Sequence, residues 1–224
     1  MVEKRSIEDI ISLVEQNFMF LHAGKFLSYH IKQRNLSLEA KNLLLVLKNN
    51  DKYLLRGDLI RNFLSESFLN WDKPNILDYF VEWNAFRGIA MAMHEGIARN
   101  PDFENFLKNI FKEKYLHFKY IIEFIRNVLS HNIDNEIRLI NEDFSGTADK
   151  VKKNIDRSGV ATLDFQYNRD FPEKINFPEN YGFKIEVFFC DLKEGDKFIE
   201  IISEWQLFML MELCNNVVFY NRKI

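Results

Sequence analysis

The sequence predicts a mainly α-helical protein with a small β insertion before a long C-terminal helix. Apolar residues recur every three to four positions over most of residues 6–132, which is the helical period. Residues 102–145 contain neither glycine nor proline, as expected of long helices. In contrast, residues 134–192 hold stretches of strand-forming residues separated by turn-forming ones, so we expect two or three short strands there.

The N-terminal region is predicted to form helices. Residues 6–22 and 37–49 show helical apolar spacing, and Ser37 is suited to cap the second of these helices. Gly24 and the later sequence Arg-Asn-Leu-Ser lie between the two. A third, shorter helix is predicted at residues 57–69.

Two prolines mark the boundaries of the central helices. Pro74 suits the first turn of a helix over residues 74–98, which stops before Pro101. Residues 102–132 are then predicted to form one helix, or two joined by a slight break near Glu113.

The β insertion contains three candidate strands. They lie in the sequences EIRLINED, GVATLDFQYN and GFKIEVFFCDLKEGDK, the last of which ends in a turn at Glu194 and Gly195. Residues 169–181, which include Pro172 and Pro178, are the best candidate for a loop.

The final helix is predicted to begin after Asp196, which can cap it, and to cover residues 197–219. Its apolar residues surround most of its circumference, so it should lie in the core or at an interface. We expect one domain over residues 1–224, with N-terminal helices at 1–72, central helices at 74–133, the insertion at 134–192 and the final helix at 196–219.

Composition and charge disfavour several classes of protein. The net charge of -3 argues against an extensive basic surface that coats nucleic acid. Cys190 and Cys214 each lie in an apolar run and are predicted to be small core residues in a reduced cytosol. Since the chain shows no uninterrupted apolar signal or membrane segment, we expect a cytoplasmic protein that does not bind membranes.

One short stretch, FIRNVLSHNID, combines groups that are suited to chemistry. It places Arg126 and Asn127 shortly before His131 in a helical run. Residues 59–67, LIRNFLSES, repeat the Ile-Arg-Asn-x-Leu-Ser frame with Glu66 where the histidine would be. The frame by itself is therefore compatible with a plain amphipathic helix, and the histidine is what distinguishes the later copy.

RNA cleavage is the reaction that these groups suit. An imidazole can move protons at a ribose hydroxyl or a leaving oxygen, and a guanidinium can hold the phosphate. Neither a metal nor another cofactor is needed. On a helical wheel Arg126 lies about 140° from His131, so they do not meet side by side within one helix. A second copy related by a two-fold axis could bring one chain's arginine near the other's histidine.

The run IRNVLSHNI resembles the R-x4-6-H motif of the HEPN superfamily, in which a polar residue, often Asn, follows the arginine. The resemblance implies a helical bundle and a homodimeric, metal-independent endoribonuclease that leaves a 2′,3′-cyclic phosphate, as in toxin–antitoxin and phage- or stress-defence systems. It implies that His131 is the general acid/base, Arg126 the phosphate and transition-state stabiliser, and Asn127 the positioning group. The implied partners are RNA, a second copy, and an antitoxin or regulatory protein. The alternative is a non-catalytic HEPN-like module that binds RNA, a nucleotide or a protein.

Other interpretations of these histidines remain open. As a residue at the end of a helix, His131 could simply interact with the helix dipole and the exposed carbonyls. Arg87 and His94 also have the spacing of the motif, but Gly88 stands where the polar residue is expected. His94 is then more simply explained as a packed histidine within a long helix.

A weaker set of RNA contacts follows if residues 102–132 form a single helix. Lys108, Lys112, Tyr115 and Lys119 would then share one stripe that offers phosphate contacts and an aromatic face for a base. The alternative is a solvated helix face.

Overall fold

The computed structural model describes residues 6–32, 41–46, 52–58, 76–131, 136–173 and 178–222. The helices are α1 (Ile7–Lys32), α2 (Ile76–Arg99), α3 (Pro101–Phe111), α4 (Tyr115–His131), α5 (Asn141–Asn154), α6 (Tyr167–Asp170), α7 (Phe198–Ile201) and α8 (Glu204–Asn221). The strands are β1 (Leu43–Val46), β2 (Lys52–Leu55), β3 (Val160–Gln166) and β4 (Gly182–Phe188). The prediction of a mainly helical protein with small β elements is confirmed.

The chain forms two compact units. The larger unit contains residues 1–18 and 85–224, and the smaller unit contains residues 19–84. The long helices α1 and α2 each contribute residues to both units.

In the smaller unit, α1 continues through Gly24, where the sequence predicted an interruption. A Cβ atom at Gly24 would overlap the side chain of Val81 on α2, so the glycine permits a close approach of the two helices. Lys25 and Glu82 form an ion pair between the same helices. The predicted end of the first helix at residue 22 is therefore wrong.

The smaller unit also contains a β-hairpin where a helix over residues 37–49 was predicted. β1 pairs with β2 in an antiparallel register that places Leu43 opposite Leu55. A short apolar run is compatible with either structure, and pairing with the following strand decided it. The predicted cap Ser37 and most of the predicted helix 57–69 lie outside the described residues.

In the larger unit, the first part of α1 packs against α2. A Cβ atom at Gly88 would overlap the side chain of Asn17, and one at Gly96 would come within 3.0 Å of the side chain of Ile10. The residue numbers rise along one helix as they fall along the other, so the helices run antiparallel. At the far end of the chain, Arg222 lies 2.7 Å from Glu15 of α1.

Helices α2, α3 and α4 follow one another closely, as the prolines predicted. The side chain of Asn100 caps α3 by accepting hydrogen bonds of 3.1 Å from the backbone N–H groups of Asp102 and Phe103. The break near Glu113 is a 3₁₀ turn, Lys112–Lys114, and Lys112 has a φ of 49°. Residues 102–131 therefore form two helices rather than one.

Helix α4 carries a broad buried apolar face. Its buried apolar side chains include Phe118, Ile121, Ile122, Phe124, Ile125, Val128 and Leu129. Phe124 makes edge contacts with Phe189, which follows β4, and with Phe198 of α7. This packing fixes which side of α4 faces the core and which side carries the polar residues of the motif.

Helix α5 was not predicted. A strand was expected in EIRLINED, but only Arg138 forms an isolated bridge, with Lys197, and a helix begins at Asn141. The carboxylate of Asp143 accepts a 2.9 Å hydrogen bond from the backbone N–H of Ile140, which stabilises the start of this helix. Its acidic first turn and basic last turn were the sequence signals for a helix.

Strands β3 and β4 form the predicted hairpin of the insertion. They pair antiparallel from Val160 opposite Phe188 to Gln166 opposite Gly182. Alternate side chains are buried against the helices, namely those of Ala161, Leu163, Phe165, Phe183, Ile185 and Val187. The candidate loop 169–181 begins within α6 and includes residues 174–177, which lie outside the described part of the chain.

The end of the chain differs from the prediction in two ways. The final helical segment is divided between α7 and α8, because Ile202 is extended and Ser203 starts a new helix in a reciprocal cap with Gln206. Asp196 does not cap it. Its carboxylate instead accepts a 2.8 Å hydrogen bond from the backbone N–H of Lys193 in the preceding turn.

The two cysteines have different environments. Cys214 is buried in α8, and burial raises the pKa of its thiol. Cys190 is exposed, which contradicts its predicted place in the core, and its Sγ lies 3.0 Å from the carbonyl of Ser158. Among the described helices, none is both long and apolar enough to cross a membrane.

Candidate functional site

The first two residues of the motif contact each other near the C-terminal end of α4. Nη1 of Arg126 donates a 3.0 Å hydrogen bond to the side-chain oxygen of Asn127. The amide nitrogen of Asn127 lies 3.4 Å from the backbone carbonyl of Asp143 on α5. Both side chains are half-buried, so Arg126 is held at the junction of two helices rather than extended into solvent.

The histidine of the motif is anchored by a buried carboxylate. Nδ1 of His131 lies 2.8 Å from Oδ1 of Asp143, whose side chain is 0% exposed, whereas that of His131 is 42% exposed. The other carboxylate oxygen accepts the N–H of Ile140. Asp143 therefore holds the histidine ring and the start of α5 at the same time.

This contact determines which ring nitrogen of His131 can exchange a proton with a bound molecule. An ionised carboxylate only accepts hydrogen bonds, so it places a proton on Nδ1 of the facing ring. The lone pair of the neutral ring is then at Nε2, on the opposite edge. No described residue forms a hydrogen bond with Nε2. The ring is thus oriented so that its Nε2 can exchange a proton with a bound molecule.

Arg126 and His131 are therefore linked within one chain, although they lie on different sides of α4. The link runs from Arg126 through Asn127 to Asp143 and from there to His131. Sequence reasoning missed Asp143, because the helix that presents it was taken for a strand. The signal that could have found it is an acidic residue in the first turn of a helix.

A second buried carboxylate lies on α4, one turn before Arg126. Glu123 accepts hydrogen bonds of 3.1 Å from the hydroxyl of Thr147 and 2.6 Å from Nζ of Lys150, both on α5. Glu123 lies three positions before Arg126, a spacing that allows an ion pair within one helix. In the structure Lys150 is its cationic partner, and Arg126 forms no ion pair with any described carboxylate.

Of the alternative pair, Arg87 and His94, the arginine contacts α4. Nε of Arg87 donates to the backbone carbonyl of Leu129. His94 is half-buried, and its Nδ1 is enclosed without a hydrogen-bond partner among the described residues. Burial lowers the pKa of His94, and the positive charge of Arg126 lowers it further. The charge of Arg126 thus acts on His94.

The weaker set of predicted RNA contacts is only partly brought together. Lys108 and Lys119 lie 3.3 Å and 3.2 Å from the carboxylate of Glu104, which also accepts a 2.8 Å hydrogen bond from the hydroxyl of Tyr115. Burial acts to raise the pKa of Glu104, but these hydrogen bonds outweigh it and lower that pKa. Tyr115 is buried, so its ring offers no open face to a base. Lys112 lies apart from them and lines a small cleft with Arg169 and Asp170.

No group of three or more His, Cys, Asp and Glu side chains within the described ranges is arranged to hold a metal ion. No protein-family model, curated protein or solved structure matches this chain. Its function is therefore inferred from the arrangement of its own side chains.

Proposed function

We propose that this chain is a metal-independent endoribonuclease of the HEPN type. The 2′-hydroxyl of a ribose attacks the adjacent phosphorus, the bond to the 5′-oxygen breaks, and a 2′,3′-cyclic phosphate remains. In this scheme His131 transfers a proton through Nε2, Arg126 stabilises the charge that develops on the phosphate, and Asn127 positions Arg126.

The observation that carries this proposal is the contact between His131 and Asp143. A histidine that serves as an acid or base needs a fixed orientation, a defined tautomer and one nitrogen that is open to the substrate. The 2.8 Å contact supplies the first two, and the exposure of the ring supplies the third. A carboxylate that orients a histidine in this way recurs in enzymes that use the ring for proton transfer.

Arg126 supports the same proposal. Its described hydrogen bond goes to a neutral amide, so its charge is not neutralised by an ion pair with a described carboxylate. A half-buried guanidinium of this kind is well suited to a phosphate, because its planar donors match two phosphate oxygens. The linked network brings this cation to the same helix junction as His131.

The test is cleavage of an end-labelled structured RNA in excess EDTA by the wild type and by the His131→Gln and Arg126→Lys variants. We expect the loss of the histidine to slow cleavage by about 10²- to 10⁴-fold, and the wild type to leave cyclic-phosphate ends. Arg61→Lys is the matched control, because it changes the same sequence frame in the copy that lacks the histidine. Folding of each protein is compared by circular dichroism. Cleavage by the wild type that does not depend on His131 would contradict the proposal.

A second candidate is a non-catalytic module that binds RNA, a nucleotide or a protein at the same place. The observation that favours it is the pairing of Lys108 and Lys119 with Glu104, which removes two cations from an approach surface for long RNA. Nucleotide or RNA binding without cleavage by a folded wild type would support this candidate. A homodimer is part of the leading proposal, and sedimentation of the purified chain tests it directly.

A further inference from the structure

We propose that the C-terminal end of α5 is a surface that binds the RNA strand beside the cleavage site. This surface, the basic end of α5, consists of Lys152 and Lys153 in the last turn of α5 and Arg157 in the turn that follows. The inference rests on the proposed function and deepens it, because it assigns a contact region for the substrate of that site. The ligand is the sugar–phosphate backbone of single-stranded RNA.

The basic end of α5 carries positive charge that the protein does not neutralise. Its three side chains are exposed, and none of them forms an ion pair with a described carboxylate. Most other described cations of the larger unit are paired, as Lys114 is with Asp170 and Lys197 is with Glu136. Residues 149–158 contain four cations and two carboxylates. Positive charge is thus concentrated locally in a chain of net charge -3, and it can attract a polyanion there.

Two contacts determine how α5 lies along α4. Asp143, near the start of α5, contacts His131 at the end of α4. Asn154, at the end of α5, donates a 2.6 Å hydrogen bond to the hydroxyl of Tyr120 near the start of α4. The two helices therefore run antiparallel, and the basic end of α5 lies toward the start of α4.

A series of cations connects the candidate site to this end. Glu123 and Arg126 are three residues apart on α4, so their side chains are neighbours. Lys150 of α5 lies 2.6 Å from Glu123, and Lys153 is the next residue on the same side of α5. Successive cations are thus separated by about one helical turn, or about 5 Å along the axis. A strand with one phosphate at Arg126 can therefore pass its next phosphates along Lys150 and Lys153.

The surface between the site and these cations is open. Gly146 is an exposed residue of α5 between Asp143 and Lys150, and nothing lies within 4 Å of the position that a Cβ would take there. The side chain of Lys150 remains 53% exposed despite its ion pair with Glu123. A nucleic-acid backbone can therefore approach this side of α5 without displacing a described side chain.

An exposed aromatic side chain lies at the same end of the β3–β4 hairpin as Lys152. Phe188 is 48% exposed and lies opposite Val160, the first residue of β3. Gly159 precedes Val160, and a Cβ at Gly159 would lie 3.5 Å from carbon atoms of the Lys152 side chain. Aromatic rings stack on unpaired bases, and cations bind phosphates. The combination therefore fits single-stranded RNA better than a duplex or an acidic protein.

The first test measures the binding of a fluorescent single-stranded RNA to the full chain in the His131→Gln background. Glutamine at all three positions of the basic end should weaken binding about 10- to 100-fold at about 0.1 M salt. It should also reduce the slope of log Kd against log salt by about 2, since each phosphate contact contributes about 0.7. Unchanged affinity and slope in the folded variant would overturn the inference.

The matched control for this test removes the same charge elsewhere in the larger unit. It combines Arg169→Gln, Lys184→Gln and Arg222→Gln, which change exposed cations away from the hairpin end that carries Phe188. We expect the control to alter RNA binding by less than about threefold, because salt screens exposed charges that do not contact the ligand. An equal loss of affinity in the control would show that only the net charge matters, which would also overturn the inference.

The second test asks whether the ligand is RNA or any polyanion. Phe188→Leu should weaken the binding of single-stranded RNA about 5- to 10-fold, because it removes a stacking surface for a base. It should leave the binding of inorganic polyphosphate unchanged. Equal binding of RNA by the Phe188→Leu and Phe188 proteins, or binding of phosphatidylserine vesicles in place of RNA, would overturn the assignment of this surface to single-stranded RNA.

Single-turnover cleavage separates this inference from the proposed function. Loss of the basic end should raise the protein concentration that gives half the maximal rate, by about the factor lost in binding, and leave the maximal rate unchanged. Cleavage that depends on His131 but not on the basic end would overturn the inference and leave the ribonuclease proposal intact. A wild type that binds RNA through the basic end without cleaving it would support the surface and overturn the ribonuclease proposal. Lower stability with unchanged RNA binding would assign these cations to the helix dipole alone and overturn the inference.

Discussion

Oδ1 of Asp143 lies 2.8 Å from Nδ1 of His131, so the third residue of α5 holds the last residue of α4. The same carboxylate accepts the N–H of Ile140, which enters α5. The orientation of the histidine is therefore coupled to the start of the following helix, and a change at Asp143 should be detectable both in activity and in stability.

We expect Asp143→Asn to lower kcat for RNA cleavage by at least about 10- to 100-fold. The amide can donate a hydrogen bond to Nδ1, which would place the proton of His131 on Nε2 and remove the base that faces the substrate. Because the amide oxygen can still accept the N–H of Ile140, stability should fall by only about 1 kcal/mol. Single-turnover cleavage and urea denaturation measure the two effects. An unchanged kcat would show that Asp143 has only a structural role.

The lowered pKa of His94 makes stability depend on pH. Since the pKa of His94 is depressed below 6.5 in the folded protein, the unfolded chain binds a proton more readily than the folded chain. The free energy of unfolding should therefore decrease as the pH falls below about 6.5. His94→Gln should weaken this dependence, which urea denaturation at about pH 7.5 and about pH 5.5 would show. An equally steep loss of stability in the variant would count against the buried, neutral state of His94.

The charge of Arg126 should be visible in the titration of His94. Arg126→Gln removes a positive charge that lowers the pKa of His94, so that pKa should rise toward its ordinary value. NMR titration of the histidine ring signals measures the change. Arg138→Gln is the control, because Arg138 is bonded to Glu136 and its charge is not among those that act on His94. Identical His94 titrations in the Arg126→Gln and wild-type proteins would contradict the placement of these two residues.

Lys150 is expected to stabilise the fold through Glu123. Lys150→Met leaves the buried carboxylate of Glu123 with the hydroxyl of Thr147 as its described hydrogen-bond donor, which should lower the free energy of unfolding by about 1–3 kcal/mol. Lys153→Met, at an exposed position of the same helix, should change it by less than about 0.5 kcal/mol. Equal stabilities of the two variants in urea would argue against this role.

Two glycines in helices should respond to alanine in opposite directions. Gly88→Ala introduces a Cβ that overlaps the side chain of Asn17, so we expect a destabilisation of about 1–3 kcal/mol. Gly146 lies within α5 with nothing within 4 Å of the added Cβ, and Gly146→Ala should stabilise by about 0.5–1 kcal/mol. Thermal unfolding of both variants beside the wild type checks the signs.

Local sequence patterns predicted most of the helices of the larger unit. The helical period, together with Pro74 and Pro101, placed α2 and α3 to within a few residues, and the break near Glu113 was anticipated. The two errors in strand prediction share one cause, which is that a strand forms only where another segment pairs with it. Leu43–Val46 became a strand because it pairs with Lys52–Leu55, and the segment before α5 did not become one because it has only the bridge at Arg138.

The candidate site likewise combines a part that local sequence predicts with a part that depends on packing. The sequence identified the run from Arg126 to His131 as a candidate site, because this run places a guanidinium, an amide and an imidazole on one helix. Its orienting carboxylate is twelve residues further on, and His94 is on an earlier helix. The sequence alone determined which groups one helix carries, because helical geometry depends on local spacing. Only the tertiary structure decided which groups meet, because a short buried contact such as that of Asp143 with His131 depends on how α4 and α5 pack.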